Sequence, residues 1–327
     1  MTQQEREQRA IARIDETATE LVALSSYLHE HPELGGQEQL AMKAVGEFLE
    51  DYGFTVTTDL SENGKYPILK TALRADAGVP MTYDAPIDTA STGTADLATS
   101  YNMAFLGEYD ALPGLGHGCG HNLIAMMSVG AALGFKEAVP EAHTTFFGCP
   151  AEETVGGKVF MSEAGLFKPY KAALIIHPGG CDELGGTSLA THPLEVTFHG
   201  RSAHVASLTD RGINALDAAV LFYRAVMDIK IEMGPKAVVG AIFTDAGKAP
   251  NVIPDTATVR LTVRAHTVDY LENTVLPAIR FAAQDAADQI GASVDMHHYE
   301  PLFKEMREDL TLRKIVGDVM TEFGHTP

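Results

Sequence analysis

The chain has 327 residues, 45% apolar and 21% charged, with 24 Lys and Arg against 44 Asp and Glu, a formal charge of −20. That length suggests two domains, and the acidic balance argues against nucleic acid or anionic membrane as partners while allowing a small anionic substrate, since local cations can invert the field inside a cleft. No run of about 18 uninterrupted apolar residues occurs, the first residues lack the apolar core of a secretory signal, and Cys119, Cys149 and Cys181 cannot build a full disulfide framework, so a soluble protein of the reducing cytoplasm is expected.

In chain order, Ile11, Ile14, Leu21, Leu24 and Leu28 fall at helical spacing and predict a long amphipathic helix over 5–29, broken by His31-Pro32. A second helix is predicted over 37–52, with Leu40, Val45, Phe48 and Leu49 inward and Gly53 as its cap. Strands follow at 54–58 and 68–73, then an irregular loop over 75–100 rich in Ala, Asp, Thr, Gly and Pro. His29 and His31 sit at a helix end and read as partners of the last carbonyls rather than as ligands. Strand 101–106 hands over to a helix from about residue 122 to 133, and strands 144–149 and 172–176 flank a short helix at 158–164. This alternation predicts an α/β domain with a doubly wound, mostly parallel sheet. The pattern then changes: strand 192–199, helix 213–231, strands 237–244 and 256–265, helix 268–290 and strand 292–298 spell β-α-β-β-α-β, the ferredoxin-like order. A domain over 188–299 is therefore expected as an insertion into a first domain made of 1–187 plus 300–327, with one more helix over 301–323.

Residues 107–122 read Gly-Glu-Tyr-Asp-Ala-Leu-Pro-Gly-Leu-Gly-His-Gly-Cys-Gly-His-Asn. They put Cys119 and His121 two apart among glycines, where a strand hands over to a helix and open α/β sheets keep their ligands. Thiol and imidazole together suit zinc or another transition ion. Alone, these two residues read more readily as packing and hydrogen-bonding groups than as ligands. Pro150-Ala151-Glu152-Glu153 and His177-Pro178 follow the next two strands, however, so three strand ends each deliver metal-type residues. Adjacent Glu152 and Glu153 are expected to point to different sides, one to bind a metal and one free as a general base beside an ion that lowers the pKa of water to about 7. Asp110 is placed to orient a ligand imidazole. A rival chemistry makes Cys119 a nucleophile with His121 or His177 as base, but leaves the Glu pair without a task. Cys149 reads as packing within its strand, and Cys181 has no nameable partner. In the inserted domain, His199, Arg201 and His204 sit in one loop and resemble a group that receives a carbonyl or carboxylate oxygen.

On these residues the sequence resembles the dinuclear metallopeptidases and amidohydrolases of the aminoacylase and carboxypeptidase G type, peptidase family M20, in particular the branch with aminobenzoyl-glutamate hydrolase. The matching text is His-Pro-Glu-Leu-Gly at 31–35, residues 107–117, Cys-Gly-His-Asn at 119–122, Pro-Ala-Glu-Glu at 150–153, His-Pro at 177–178, Gly-Arg-Ser-Ala-His at 200–204 and Ala-Pro-Asn-Val-Ile-Pro at 249–254. The resemblance implies two divalent metal ions, zinc, manganese or cobalt, bridged by Cys119 and further held by His121, Glu153 and His177, with Glu152 as general acid and base. It also implies a homodimer through the inserted domain, His204 reaching substrate in the neighbouring subunit's site, and Asn251 near the substrate carboxylate. The implied reaction is hydrolysis of an amide in a small N-acyl amino acid, aminobenzoyl-glutamate or dipeptide-like substrate. The family pattern carries further sheet strands and a last histidine ligand that have no counterpart here, and His325 is not in the right context for that role. The first domain is accordingly expected to be incomplete, and the alternative reading is a truncated or non-catalytic relative that dimerises and binds ligand without turnover.

Overall fold

The first helix starts where Thr2 and Glu5 close a capping box, the Glu5 amide donating to Thr2 Oγ1 at 3.2 Å and the Thr2 amide to Glu5 Oε2 at 2.7 Å. The computed structural model describes residues 1–81, 102–207 and 211–327, and in it this helix, α1, spans Gln3–Glu30. Its C-terminal half buries Leu21, Leu24 and Leu28, whereas Ile11 and Ile14 are exposed. Helix α2, Gln39–Asp51, buries Val45 and Leu49 and ends before Gly53 in the left-handed region at φ 74°. Leu40, expected inward, is 43% exposed. It lies in the first turn, where the Glu33 carboxylate accepts the amides of Gln39, Leu40 and Ala41 at 3.1, 2.8 and 2.9 Å and fixes the helix start.

The chain divides into two units, Met1–Gly180 and Cys181–Pro327. Among the described residues, the first unit holds a five-stranded sheet of β1 (Thr55–Thr58), β2 (Leu73–Gly78), β3 (Asn102–Glu108), β4 (His143–Cys149) and β5 (Ala172–Leu174), in the order β1-β2-β4-β3-β5. Strands β4, β3 and β5 are parallel, and β2 runs antiparallel to both its neighbours. The strand expected at 68–73 is instead a 3-10 turn, Pro67–Thr71, followed by β2. Pro67 has no N–H for a ladder, so pairing starts after it and takes residues 75–78 out of the expected loop. The rest of that loop, and Tyr101, lie outside the described residues.

Both faces of β3 and β4 are covered, as a parallel sheet requires. Phe105 and Phe146 pack beneath α1, α2 and α3 (His121–Ala138). Leu106, Phe147 and Cys149 pack on the other face with Met161 of α5 (Gly157–Glu163) and Tyr170. Cys149 is thus a packing residue, as expected. Between β4 and α5 a single turn, α4 (Glu152–Val155), projects from the end of the sheet. Each fully buried Leu or Phe removed from water contributes about 1.5–3 kcal/mol to this arrangement.

The second unit contains β6 (Ala190–His199), β7 (Ala203–His204), α6 (Ala215–Met233), β8 (Ala237–Asp245), β9 (Val252–Ile253), β10 (Thr256–Ala265), α7 (Val268–Tyr270), α8 (Leu276–Ile290), β11 (Ser293–His298) and α9 (Leu310–Glu322). Its antiparallel sheet has the order β11-β6-β10-β8. Alternate residues Leu194, Val196 and Phe198 of β6 and Val259, Leu261 and Val263 of β10 meet Phe222 of α6 and Ile279 of α8 in one core. The β-α-β-β-α-β order is therefore built as the sequence suggests. The helix expected over 268–290 is interrupted by a π turn, Leu271–Val275, with Pro277 in the first turn of α8 lacking the donor an unbroken helix would use. The helix expected over 301–323 begins only at α9, where the Asp309 carboxylate accepts the Thr311 and Leu312 amides at 2.9 and 3.0 Å. Upstream, Phe303 bridges to Thr191 and the Met306 amide donates to Ser188 Oγ at 2.7 Å, so this stretch is extended along the second unit. Among the described residues, no helix is long and apolar enough to cross a membrane.

Candidate metal centre

The loop from β3 into α3 is shaped by Gly120, which caps the helix at φ 80° and has no room for a side chain, since a Cβ there would come within 2.7 Å of Pro178 Cγ. His121, the first residue of α3, is buried. Its Nδ1 lies 2.9 Å from the Asp110 carbonyl oxygen and 3.0 Å from Asp110 Oδ1, so it donates there and Nε2 is the atom turned toward the carboxylates. Nε2 in turn lies 3.3 Å from Glu108 Oε2, 3.7 Å from Glu153 Oε1 and 3.9 Å from Glu152 Oε2.

His177 is exposed, and its Nδ1 donates to the Pro178 carbonyl at 2.8 Å. Its ring stands edge-on to that of His121 with centroids 6.0 Å apart. One donor atom each from Cys119, His121 and His177 lie within 4.8 Å of one another, and so do one each from His121, Glu152 and Glu153. Strand ends thus converge much as read from the sequence, with two differences. Strand β5 stops at Leu174, so His177 hangs three residues beyond it rather than at its end. Glu152 and Glu153 open helix α4 rather than lying on extended backbone, so they diverge by about 100° around a helix instead of alternating.

Three buried polar atoms in this cluster lack a hydrogen-bond partner, Glu108 Oε2, His121 Nε2 and Glu153 Oε1, and they are the same atoms that face one another at 3.3 and 3.7 Å. Such buried atoms are costly to leave facing one another unless a proton on Nε2 or a cation joins them. Glu108 Oε1 accepts from Lys158 Nζ. A set of imidazole, thiol and carboxylate donors around this gap fits a divalent ion of the borderline kind.

The electrostatics agree. Burial raises the Glu152 carboxyl above its usual range, with Glu108 and Glu153 adding to it and Lys158 opposing. Its hydrogen bond to Glu153, then burial and the neighbouring carboxylates, push the Cys119 thiol up to about 11. A thiol so raised is a poor nucleophile in the metal-free chain, and it becomes a thiolate ligand only as a bound cation displaces its proton. Burial works against Asp110 ionising, but hydrogen bonds from His121 and the Glu153 amide, the latter at 2.9 Å, hold it below the usual carboxylate range. For His121 burial favours the neutral ring, yet Asp110 and the charges of Glu108 and Glu152 raise it on balance.

Glu108 and Lys158 were not among the residues singled out from the sequence. Glu108 had a readable signal: it stands two residues before Asp110 at a strand's end, so the two share a side while Tyr109 turns into the core. Lys158 had none.

In the second unit, β7 and β9 pair Ala203 with Ile253 and His204 with Val252, and the Val205 amide donates to the Asn251 carbonyl at 3.1 Å. His204 and Asn251, far apart in sequence, are therefore neighbours, both exposed. His199 turns instead to Asp295 on β11 at 3.0 Å, and Arg201 exchanges backbone hydrogen bonds with Ile213. Back in the first unit, at the end of α1, His31 Nδ1 donates to the Tyr27 carbonyl at 2.8 Å, the role read for it.

Residues 193–290 match the family model of the peptidase dimerisation domain of M20 enzymes. The chain is 36% identical to a mouse (Mus musculus) Xaa-Arg dipeptidase over 252 residues, 75% of this chain and 55% of that one. It is 28% identical to a component of the p-aminobenzoyl-glutamate hydrolase of Escherichia coli over 324 residues, 92% of this chain and 62% of that one. The chain thus spans just over half to three fifths of the length of these curated relatives. Its fold matches a dinuclear metal binding peptidase of the M20 family from Bacillus subtilis with a TM-score of 0.68 at 21% identity, covering 95% of this chain and 82% of that one. Dimerisation domain, relatives and shared fold together make this chain a relative of the M20 metallopeptidases.

Proposed function

We propose that the protein hydrolyses the amide bond of a small N-acyl amino acid, aminobenzoyl-glutamate or dipeptide-like substrate, using two divalent ions, zinc, manganese or cobalt, held by Cys119, His121, Glu153 and His177. The observation that carries this reading is the set of buried polar atoms without a hydrogen bond, Glu108 Oε2, His121 Nε2 and Glu153 Oε1, converging beside Cys119 and His177. The printed names of the mouse and E. coli relatives, both hydrolases of amino-acid amides, agree with it. Divalent ions held there would supply Lewis acidity, lowering the pKa of water toward about 7 and polarising the scissile carbonyl.

The chain's own residues do the rest. Glu152, with its proton affinity raised by burial, is suited to take a proton from the attacking water and give it to the leaving amine. Asp110 holds His121 in the tautomer that presents Nε2. His204 and Asn251, side by side on β7 and the turn before β9, are proposed to receive the substrate's carbonyl and carboxylate oxygens, His204 doing so in the partner subunit's site of a homodimer. Residues 1–187 with 300–327 are proposed as the catalytic domain and 188–299 as the inserted dimerisation and lid domain, the family match at 193–290 falling inside the latter. With Cys119, Cys149 and Cys181 all free thiols, the cytoplasm is the proposed compartment.

Replacing Glu152 by Gln tests the reading. Hydrolysis of N-acyl amino acids is expected to fall by about 10²–10⁴-fold while bound metal, measured by plasma mass spectrometry, is unchanged. Retention of most activity would remove Glu152 from the chemistry.

A further inference from the structure

The segment His31-Pro32-Glu33-Leu34-Gly35-Gly36-Gln37-Glu38 touches both loops that carry the candidate ligands. The Glu33 carbonyl accepts the Ala111 amide at 2.8 Å, and Leu34 and Ala111 form an isolated parallel bridge, which fixes the loop leading from Asp110 to Cys119. Gly35 lies so close to the turn after β4 that a Cβ would come within 2.4 Å of Thr154 Oγ1 and 2.9 Å of Ala151 Cα. The segment ends at Glu38, a fully buried carboxyl. Its Oε1 accepts the Ala151 amide at 2.7 Å, and its Oε2 accepts the Thr71 hydroxyl at 2.6 Å.

Ala151 is the residue that turns the chain from β4 into Glu152 and Glu153. It is buried and sits in the left-handed region at φ 54°, ψ 41°, which a residue with a Cβ adopts only when its surroundings enforce it. The Glu38 carboxylate is what meets its amide. Thr71 is itself fixed, its carbonyl accepting the Tyr109 hydroxyl, and Tyr109 lies between Glu108 and Asp110. Glu38 is therefore tied to both halves of the candidate centre without being near enough to belong to it.

We propose that Glu38 is a positioning residue, holding the Ala151 turn so that Glu152 and Glu153 face His121, while residues 31–38 set the spacing between the two ligand-bearing loops. Its functional consequence rests on the metal-dependent reading above; its structural consequence belongs to the metal-free chain and is read there first.

Hydrogen exchange on the metal-free full-length chain measures it. Glu38→Ala is expected to speed amide exchange across residues 150–157 by about tenfold or more under conditions where the protein stays folded, as loss of one buried hydrogen bond allows. Glu38→Gln keeps an acceptor oxygen for Ala151 and a group for Thr71, and stays within about threefold of wild type. Leu49→Ala, a cavity in the α2 core, lowers the melting temperature without singling out residues 150–157. Should Glu38→Ala not fold, Thr71→Val removes one of the same carboxylate's donors and gives a smaller acceleration at the same residues. In zinc titrations Glu38→Ala weakens affinity by about 10–100-fold, and Glu38→Gln does not. Unchanged exchange at 150–157 in Glu38→Ala, or an acceleration no more local than that of Leu49→Ala, overturns the proposal. Failure of the wild-type chain to bind zinc overturns the metal reading instead, and the exchange experiment still decides the role of Glu38.

Discussion

Asp110 accepts His121 Nδ1 with one oxygen and the Glu153 amide with the other, so a single buried carboxylate aligns an imidazole from one loop and a carboxylate from another. An Asn at this position can still accept at one atom but presents an amide donor at the second, opposite the Glu153 N–H, and loses the charge that favours proton retention on Nδ1. Asp110→Asn is expected to weaken metal binding by about 10–100-fold, measured by competition with a chromophoric chelator, while the protein stays folded. Wild-type affinity would show that Asp110 merely packs. Cys119, His121, Glu152, Glu153 and His177 were legible in the sequence because metal-type residues recur at the ends of three successive strands. Glu108, Lys158 and Glu38 were less so, because a single charged residue in a strand, a short helix or a loop has the same appearance whether it is solvated or, as here, paired with a partner distant in sequence.

The elements were legible where a periodicity ran its full length, as in β10 or α6, and failed where one residue overrode it. Pro67 displaced β2 by five residues, Asp309 delayed α9, and the π turn before Pro277 broke a helix whose apolar spacing is continuous. The reversed direction of β2 could not be read at all, since orientation is set by pairing across the sheet. Asp76 marks that pairing: its Oδ1 lies 3.1 Å from His143 Nε2 and accepts the Thr145 hydroxyl at 2.7 Å, both on β4, and Oδ2 lies 2.8 Å from Arg74 Nε. Burial opposes its ionisation, but these three partners hold the carboxyl below its usual range. A folded pKa below the unfolded value of about 3.9 adds stability that is present above that pH and is lost as pH falls through the folded pKa. Asp76→Asn is therefore expected to cost about 1–2 kcal/mol in chemical denaturation at pH 7 and less at pH 3. A difference that does not change with pH would contradict the linkage.

At the scale of the whole molecule, the two units have separate cores, the first built on both faces of the mixed sheet and the second on one face of an antiparallel one. The change of pattern near residue 188 was legible because alternation of strand and helix gives way to the ferredoxin-like order, and the boundary between units falls close by, after Gly180. The assignment of 300–327 to the first domain comes from the order of elements, whereas Phe303 and Met306 make backbone hydrogen bonds to Thr191 and Ser188 of the second unit.

The central claim is that His121 and its neighbours in the first unit form a centre for two divalent ions. Metal content per chain, by plasma mass spectrometry on protein purified without chelator and equilibrated with zinc or manganese, tests it most directly, with His121→Ala beside the wild type. About two ions per wild-type chain are expected, with most of that content lost in a folded His121→Ala protein. A wild-type chain that binds none, or a His121→Ala chain that keeps its full complement, would contradict the claim.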